Sequence, residues 1–279
     1  MNLRTAAIQM NSNADKARNI VAAARLVAGA AADGAELVVL PEKWNVLGAP
    51  GELENGAEEL RTGTALEAAR EWARGLEITL LAGSIAERVE GEERLFNTSC
   101  LIDPSGEIAA VYRKIHMFDV DVGGVAYRES AHEQPGTEIV TAPAAGIELG
   151  LSICYDLRFP ELYRILAVRG ANVLAVPAAF TTTTGRDHWE VLLRARAIEN
   201  QAFVIAAGQS GEAPPHYDSY GHSMIVDPWG ELLAVAPDGE GFVCADLEFS
   251  RLQEVRASLP SLANRRPQAY RWGEAEVPV

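Results

Sequence analysis

Three reactive side chains of this chain each follow an apolar, strand-like run. Glu42 follows Leu37-Val-Val-Leu-Pro41, Lys114 follows Ile108-Ala-Ala-Val-Tyr-Arg113, and Cys154 follows Leu149-Gly-Leu-Ser-Ile153. A carboxylate, an ammonium and a thiol converging at one sheet edge would make an acyl-transfer site. The thiol needs a base to become a thiolate. A glutamate in an apolar pocket can have its pKa raised and serve as that base. An adjacent lysine would stabilise the oxyanion of a tetrahedral intermediate. Spacing alone does not show that the three groups meet. Cys154 has the sharpest context: the apolar run 147–153 ends on it, and Pro160-Glu161 then open an amphipathic helix. Such a turn exposes a thiol to substrate and sets it near helix-start N–H groups, which favour a thiolate. Cys100 and Cys244 lie inside strand patterns and read as small core residues.

The elements that must hold these residues alternate along the chain. Asn13 is placed to cap a helix with the apolar stripe Ala17, Ile20, Val21, Ala24, Ala28 and Ala31. Thr64 and Glu67 form a capping-box pattern before a second helix. Strands are expected at 5–10, 36–40, 79–85 and 147–153, with a hairpin around Pro104-Ser105-Gly106. The second half repeats this grammar, with helices expected at 160–169 and around 189–198, a strand at 173–176, and a last helix at 249–258. Residues 43–63, 117–143 and 181–187 show no clear periodicity, and loops of that length are more often functional than idle. Hairpins mixed with βα units predict an α/β fold: a four-layer α-β-β-α sandwich of two mixed sheets. No low-complexity linker divides the chain, so residues 1–279 read as one domain.

Composition narrows the partners. Of 279 residues, 48% are apolar and 23% charged, as in a globular protein, and the net charge is −15. That charge disfavours nucleic acid and anionic lipid, and no run is long enough to span a membrane. The three cysteines lack the spacing of a disulfide framework or a zinc site. Together with the absence of a signal-peptide pattern, this predicts a cytoplasmic protein.

Leu40-Pro41-Glu42, Tyr112-Arg-Lys114-Ile-His116 and Cys154-Tyr-Asp-Leu-Arg-Phe-Pro-Glu161 resemble, in order, the three signatures of the nitrilase superfamily of carbon–nitrogen hydrolases. The resemblance covers essentially the whole chain, including the opening Ala6-Ala-Ile-Gln-Met10. It implies Glu42 as general base, Lys114 as oxyanion stabiliser and Cys154 as nucleophile. It also implies that Glu129, in Tyr127-Arg-Glu-Ser130, orients the lysine, and it leaves Tyr155 a supporting role through its backbone N–H. His188 and His222 offer a Cys–His alternative, but the family pattern uses Glu and Lys, and His188 is expected to open a helix. No metal or organic cofactor is implied. The family usually dimerises through the helix after the nucleophile and the C-terminal segment, so a homodimer or higher homo-oligomer is expected, with contacts in 249–279.

Segments 180–199 and 219–230 resemble amidases acting on ω-amides of dicarboxylates, nearest the deaminated-glutathione amidases and then the 2-oxoglutaramate ω-amidases. Segments 118–126 and 212–217 match no branch distinctly. The resemblance implies a small amide substrate bearing a carboxylate. At net charge −15 that carboxylate must be held by local donors, and Phe180, Thr181, Thr184 and Arg186 are the candidates. Arg158 reads either as a partner of Asp156 or as a carboxylate contact, and Arg194 as a helix-face partner of Glu190. The alternatives are an N-carbamoyl amide hydrolase, a nitrilase (though nitrilases commonly follow the cysteine with Trp-Glu) and a non-catalytic interaction module.

Overall fold

The computed structural model describes residues 2–213 and 217–270. In chain order the strands are β1 (Asn2–Gln9), β2 (Leu37–Val39), β3 (Thr79–Leu81), β4 (Ile85–Glu87), β5 (Phe96–Ile102), β6 (Ile108–Arg113), β7 (Asp119–Val122), β8 (Val125–Arg128), β9 (Thr141–Ala144), β10 (Ile147–Leu151), β11 (Val173–Ala178), β12 (Phe203–Gly208), β13 (Ser210–Ala213), β14 (Tyr217–Tyr220), β15 (Met224–Val226), β16 (Leu232–Val235) and β17 (Gly241–Glu248). The α-helices are α1 (Lys16–Ala32), α2 (Pro50–Gly56), α3 (Thr64–Leu76), α4 (Pro160–Val168), α5 (Thr182–Asn200) and α6 (Phe249–Ser258). Among the described residues no helix is long and apolar enough to cross a membrane.

Two mixed sheets form the centre. One has the order β17-β1-β2-β3-β5-β4, with β6 added on β5; the other runs β16-β15-β12-β11-β10-β9. Each has three parallel strands in its middle: β1, β2 and β3 in the first, β10, β11 and β12 in the second. Strand β2 explains the layering. Its Val38, with Leu40 beyond it, packs against Ala23 and Leu26 of α1 and the apolar face of α3, while Leu37 and Val39 join the core shared with Leu149, Leu151 and Val173 of the second sheet. A strand buried on both faces must be apolar throughout, as this one is. A one-residue slip would exchange its two faces, so register is strongly specified. Helices α4 and α5 cover the second sheet, which completes the four-layer sandwich.

Several local expectations are corrected. Asp15, not Asn13, caps α1, accepting from the Arg18 N–H, because Asn13 is occupied in accepting from Asp15 N. Gly63 stands at the start of α3, and the Thr64/Glu67 box does not form; the buried Glu58 carboxylate accepts from Ala65 N instead. The strand expected at 79–85 breaks into β3 and β4. Gly83 makes the break at φ +46°, where a Cβ would sit 2.0 Å from the Pro41 carbonyl oxygen. Residues 181–187 form a helix start rather than a loop: Thr181 caps α5. Their periodicity was illegible because Gly185 packs under Tyr220 and Thr184 borders a cavity rather than the core. His188 consequently lies inside α5 and does not open it.

Candidate active site

Each reactive side chain sits just beyond a strand, on a turn with a visible mechanical cause. After β2 the chain passes Pro41, whose carbonyl accepts from Ser84 N, and enters a left-handed turn at Lys43 (φ 51°). Gln209, beyond β12, donates to the Glu42 carbonyl at 2.9 Å and so ties this turn to the second sheet. After β6, Lys114 N donates to Asn97 O on β5, and Gly136 N donates to Lys114 O. After β10, Cys154 adopts φ +47°, a conformation that a non-glycine residue holds only when its surroundings over-determine it.

Asp156 supplies that constraint. Its buried carboxylate accepts from Ile153 N (2.9 Å), from the Tyr112 hydroxyl (2.6 Å) and from His116 N (3.2 Å), and His116 Nδ1 lies 2.7 Å away. The His116 ring stacks on Phe159 at 3.5 Å. One carboxylate thus fastens the cysteine turn to the segment that carries Lys114. Arg158 does not pair with Asp156, whose oxygens are already taken. Its guanidinium lies over Phe180 (5.1 Å) and near Tyr155 (5.9 Å), with His188 Nδ1 at 3.3 Å.

The structure brings Glu42, Lys114, Glu129 and Cys154 to one cavity of about 370 Å³. Lys114 Nζ donates to Glu42 Oε1 (3.1 Å) and to both oxygens of Glu129 (2.9 and 2.8 Å). Asn97 Nδ2 donates to Glu42 Oε1 at 2.8 Å, and Ala179 N to Glu42 Oε2 at 2.8 Å. Glu129 also accepts from Phe118 N at 2.6 Å. Burial opposes ionisation of Glu129, but the ammonium groups of Lys114 and Lys43 outweigh it and hold this carboxyl at about 2. Lys114, despite its burial, is held above its ordinary value by Glu129 and Glu42.

The Cys154 thiol departs from expectation. Burial first, and then the Glu42 carboxylate, push it well above its ordinary value, with Lys114 opposing. The resting group is therefore a thiol, not the thiolate expected from helix-start N–H groups. Cys154 opens only a short 3₁₀ turn, Cys154–Arg158, and α4 begins later, at Pro160. Cys100 is buried in β5 and raised to about 12 by burial, as an inert packing thiol should be.

Of the proposed substrate-contacting residues, Phe180, Thr181 and Thr184 line the cavity, as do Tyr155 and Arg158. Arg186 does not. It lines a separate open groove with Arg18, Asp218 and Tyr220, because two residues beyond Thr184 a helix turns to another face. His222 belongs to that groove too, and His188 is not among the cavity-lining residues but lies 3.3 Å from Arg158, which is. Arg194 pairs with Glu190 at 3.1 Å, whereas the buried Arg196 donates to the Leu157 carbonyl. Sequence reasoning missed Asn97, Gln209, Lys43 and Glu133. The signal for Lys43 was a lysine inside the apolar stretch 37–47; Glu133, four residues after Glu129, carried none. Among the described residues, no group of three or more His, Cys, Asp or Glu side chains is placed to hold a metal.

The site is a carboxyl–lysine contact beside a thiol, carried by an α-β-β-α sandwich. The Carbon-nitrogen hydrolase family matches residues 4–257, and the chain belongs to that family. It is 45% identical over 270 residues to a deaminated glutathione amidase from Synechocystis sp., covering 93% of this chain and 97% of that protein. It is 38% identical over 268 residues to an omega-amidase from Homo sapiens, covering 96% of each. Among solved structures, Nit3 of Saccharomyces cerevisiae, a member of the nitrilase superfamily, superposes with a TM-score of 0.87 at 29% identity, over 96% of this chain and 97% of that one.

Proposed function

We propose that the chain is a thiol amidase in which Glu42 is the general base, Cys154 the nucleophile and Lys114 the oxyanion stabiliser. The observation that carries this is the Glu42–Lys114 contact at 3.1 Å beside the Cys154 thiol in one buried cavity. Glu42 takes the thiol proton as sulfur attacks the amide carbonyl. The ammonium of Lys114, with the backbone N–H of Tyr155, stabilises the oxyanion. Glu42 returns the proton to the leaving nitrogen, ammonia or an amine departs, and a thioester remains. Water, activated by Glu42, then attacks the thioester and releases the acid. Glu129, gripping Lys114 through both oxygens, orients it. A thiol protonated at rest fits this sequence, since the nucleophile forms only when a base removes its proton.

The substrate is a small amide with a distal carboxylate. Arg158 supports this: a guanidinium on the cavity wall whose neighbours are Phe180, Tyr155 and His188 is available to a carboxylate. Thr181 and Thr184, whose hydroxyls lie 3.0 Å apart, line the same cavity. The amidase relatives support deaminated glutathione ahead of 2-oxoglutaramate. Release of amine or ammonia should be measured with both, with succinamate and with N-carbamoyl compounds, and each carboxylate substrate should be compared with its methyl ester. The ester should lose kcat/KM by at least about tenfold. Equal kcat/KM would remove the carboxylate pocket, and turnover of N-carbamoyl compounds alone would replace the amide reading.

The cavity draws on both sheets, which supports one catalytic domain over 1–279. Exposed Ile165 and Val168 on α4, with Leu259 and Tyr270 beyond α6, support dimerisation through those segments. The last nine residues of that expected contact, and 214–216 of the unmatched segment 212–217, lie outside the described residues. Three unpaired cysteines fit a cytoplasmic compartment.

A further inference from the structure

Two buried ionisable groups beside the reacting ones have no part in the amidase reaction as derived. Lys43 and Glu133 both line the cavity. Lys43 Nζ lies 2.5 Å from Glu133 Oε1 and 3.8 Å from Glu129 Oε1. Glu129 grips Lys114, and Lys114 touches Glu42. The five groups therefore form one line of alternating charge: Glu133, Lys43, Glu129, Lys114, Glu42. Their side-chain exposures run only from 2% to 11%, so water screens none of them well.

Three carboxyl groups face two ammonium groups. With every member ionised the cluster would hold a buried net negative charge, which a low-dielectric interior disfavours strongly. One bound proton makes it neutral. Both Glu42 oxygens accept hydrogen bonds, from Asn97, Lys114 and Ala179 N, and both Glu129 oxygens accept from Lys114. Glu133 Oε1 accepts from Lys43, but Glu133 Oε2 is buried and has no hydrogen-bond partner among the described residues. An unsolvated neutral hydroxyl costs less than an unsolvated anionic oxygen, so the proton belongs there. Burial acts in the same direction and outweighs the charged groups facing Glu133. Burial and Glu129 raise it, Lys43 and Lys114 lower it, and the result is a carboxyl pushed up to about 7.

We propose that Lys43 and Glu133 are a positioning pair for the amidase reaction: Lys43 supplies the second positive charge that keeps Glu129 ionised beside Lys114, and Glu133, carrying one proton, holds Lys43 in place. The inference rests on the thiol-amidase reading. Lys114 makes three hydrogen bonds in the resting site, one to Glu42 and two to Glu129, and one of these must be released to meet an oxyanion. Sharing Glu129 between two lysines eases that release. Without Lys43, either Glu129 binds Lys114 more tightly or a carboxyl of the cluster takes up a proton. Both outcomes slow the chemical step more than they weaken substrate binding.

The test uses the full chain with Lys43→Met, Lys43→Arg and Glu133→Gln, and a melting curve for each variant. Lys43→Met should lower kcat by at least about tenfold at neutral pH while KM changes less than about threefold. It should also move the acid limb of the kcat profile up by about one pH unit, because the carboxylates lose a positive neighbour. Lys43→Arg should restore both, a recovery that mere packing would not require. Infrared difference titration against Glu133→Gln should show a protonated carboxyl in the native protein below neutral pH that ionises above it. Unchanged kcat and acid limb in a folded Lys43→Met, or no protonated carboxyl assignable to Glu133, would overturn the proposal. The infrared measurement needs no substrate and no folded Lys43→Met. If the native protein hydrolyses no amide, the thiol-amidase reading fails by itself, while the infrared result still decides where the proton sits.

Discussion

Glu42 and Lys114 leave the first sheet beyond β2 and β6, whereas Cys154 leaves the second beyond β10. The two regions solve the same problem, a side chain aimed from a strand end, with different means. The first-sheet turns are fixed largely by backbone: Gly83 lets β3 pass against Pro41, and Asn97 O receives Lys114 N. The cysteine turn is fixed by a side chain, Asp156, reaching back across to Tyr112 and His116. Electrostatics differ as well. In the first region the ammonium groups of Lys114 and Lys43 overcome burial and keep Glu129 ionised, at about 2. The second keeps its thiol protonated by burial. In the proposed reaction Glu42 of the first region must take the proton from Cys154 of the second, so activation of the thiol would depend on contact between the two regions.

The largest way to break this division is Cys154→Ala. It should abolish turnover, by a factor on the order of a million in kcat, with the melting temperature nearly unchanged; steady-state release of acid measures it. Lys114→Ala comes next, with kcat expected to fall about a hundredfold to a thousandfold, because the ammonium acts on charge that develops only in the transition state. The readout is the split between kcat and KM. Asp156→Asn addresses the tie between the regions. Losing a buried charged acceptor should cost about 1.5–3 kcal/mol of stability by denaturant titration, with kcat falling as the cysteine turn loosens. Smallest is Cys100→Ala, which should leave kcat within error and cost roughly 1 kcal/mol. A Cys100→Ala variant as inactive as Cys154→Ala would erase the contrast between a strand-interior thiol and one on a turn.

Much of this was legible in the chain because each reactive residue ends an apolar run and carries a recognisable neighbourhood. The largely apolar run 36–40 marked a buried strand, and the mixture of hairpins and βα units pointed to the sandwich. What stayed hidden depended on contacts between distant segments. Asp156 looked like a partner for Arg158 two residues on, yet Tyr112 and His116, some forty residues earlier, claim it. Lys43 meets Glu133 across ninety residues of sequence. Thr181 to Thr184 were hard to read because polar residues at a cavity rim lack the periodicity of a helix packed on a core. Arg186 was misplaced for the same reason, since its face is defined only once the helix is known to begin at Thr182.

The central claim is that Glu42, from the first region, activates Cys154 of the second. Rapid-quench mass spectrometry of Glu42→Gln mixed with a substrate amide tests it most directly. Native protein should show a burst of acyl adduct on Cys154. Glu42→Gln should show none on the same timescale, since a neutral amide cannot take the thiol proton, with a loss of about a hundredfold to ten-thousandfold in acylation rate. A burst of normal rate and amplitude in Glu42→Gln would contradict the account and show that another group activates the thiol.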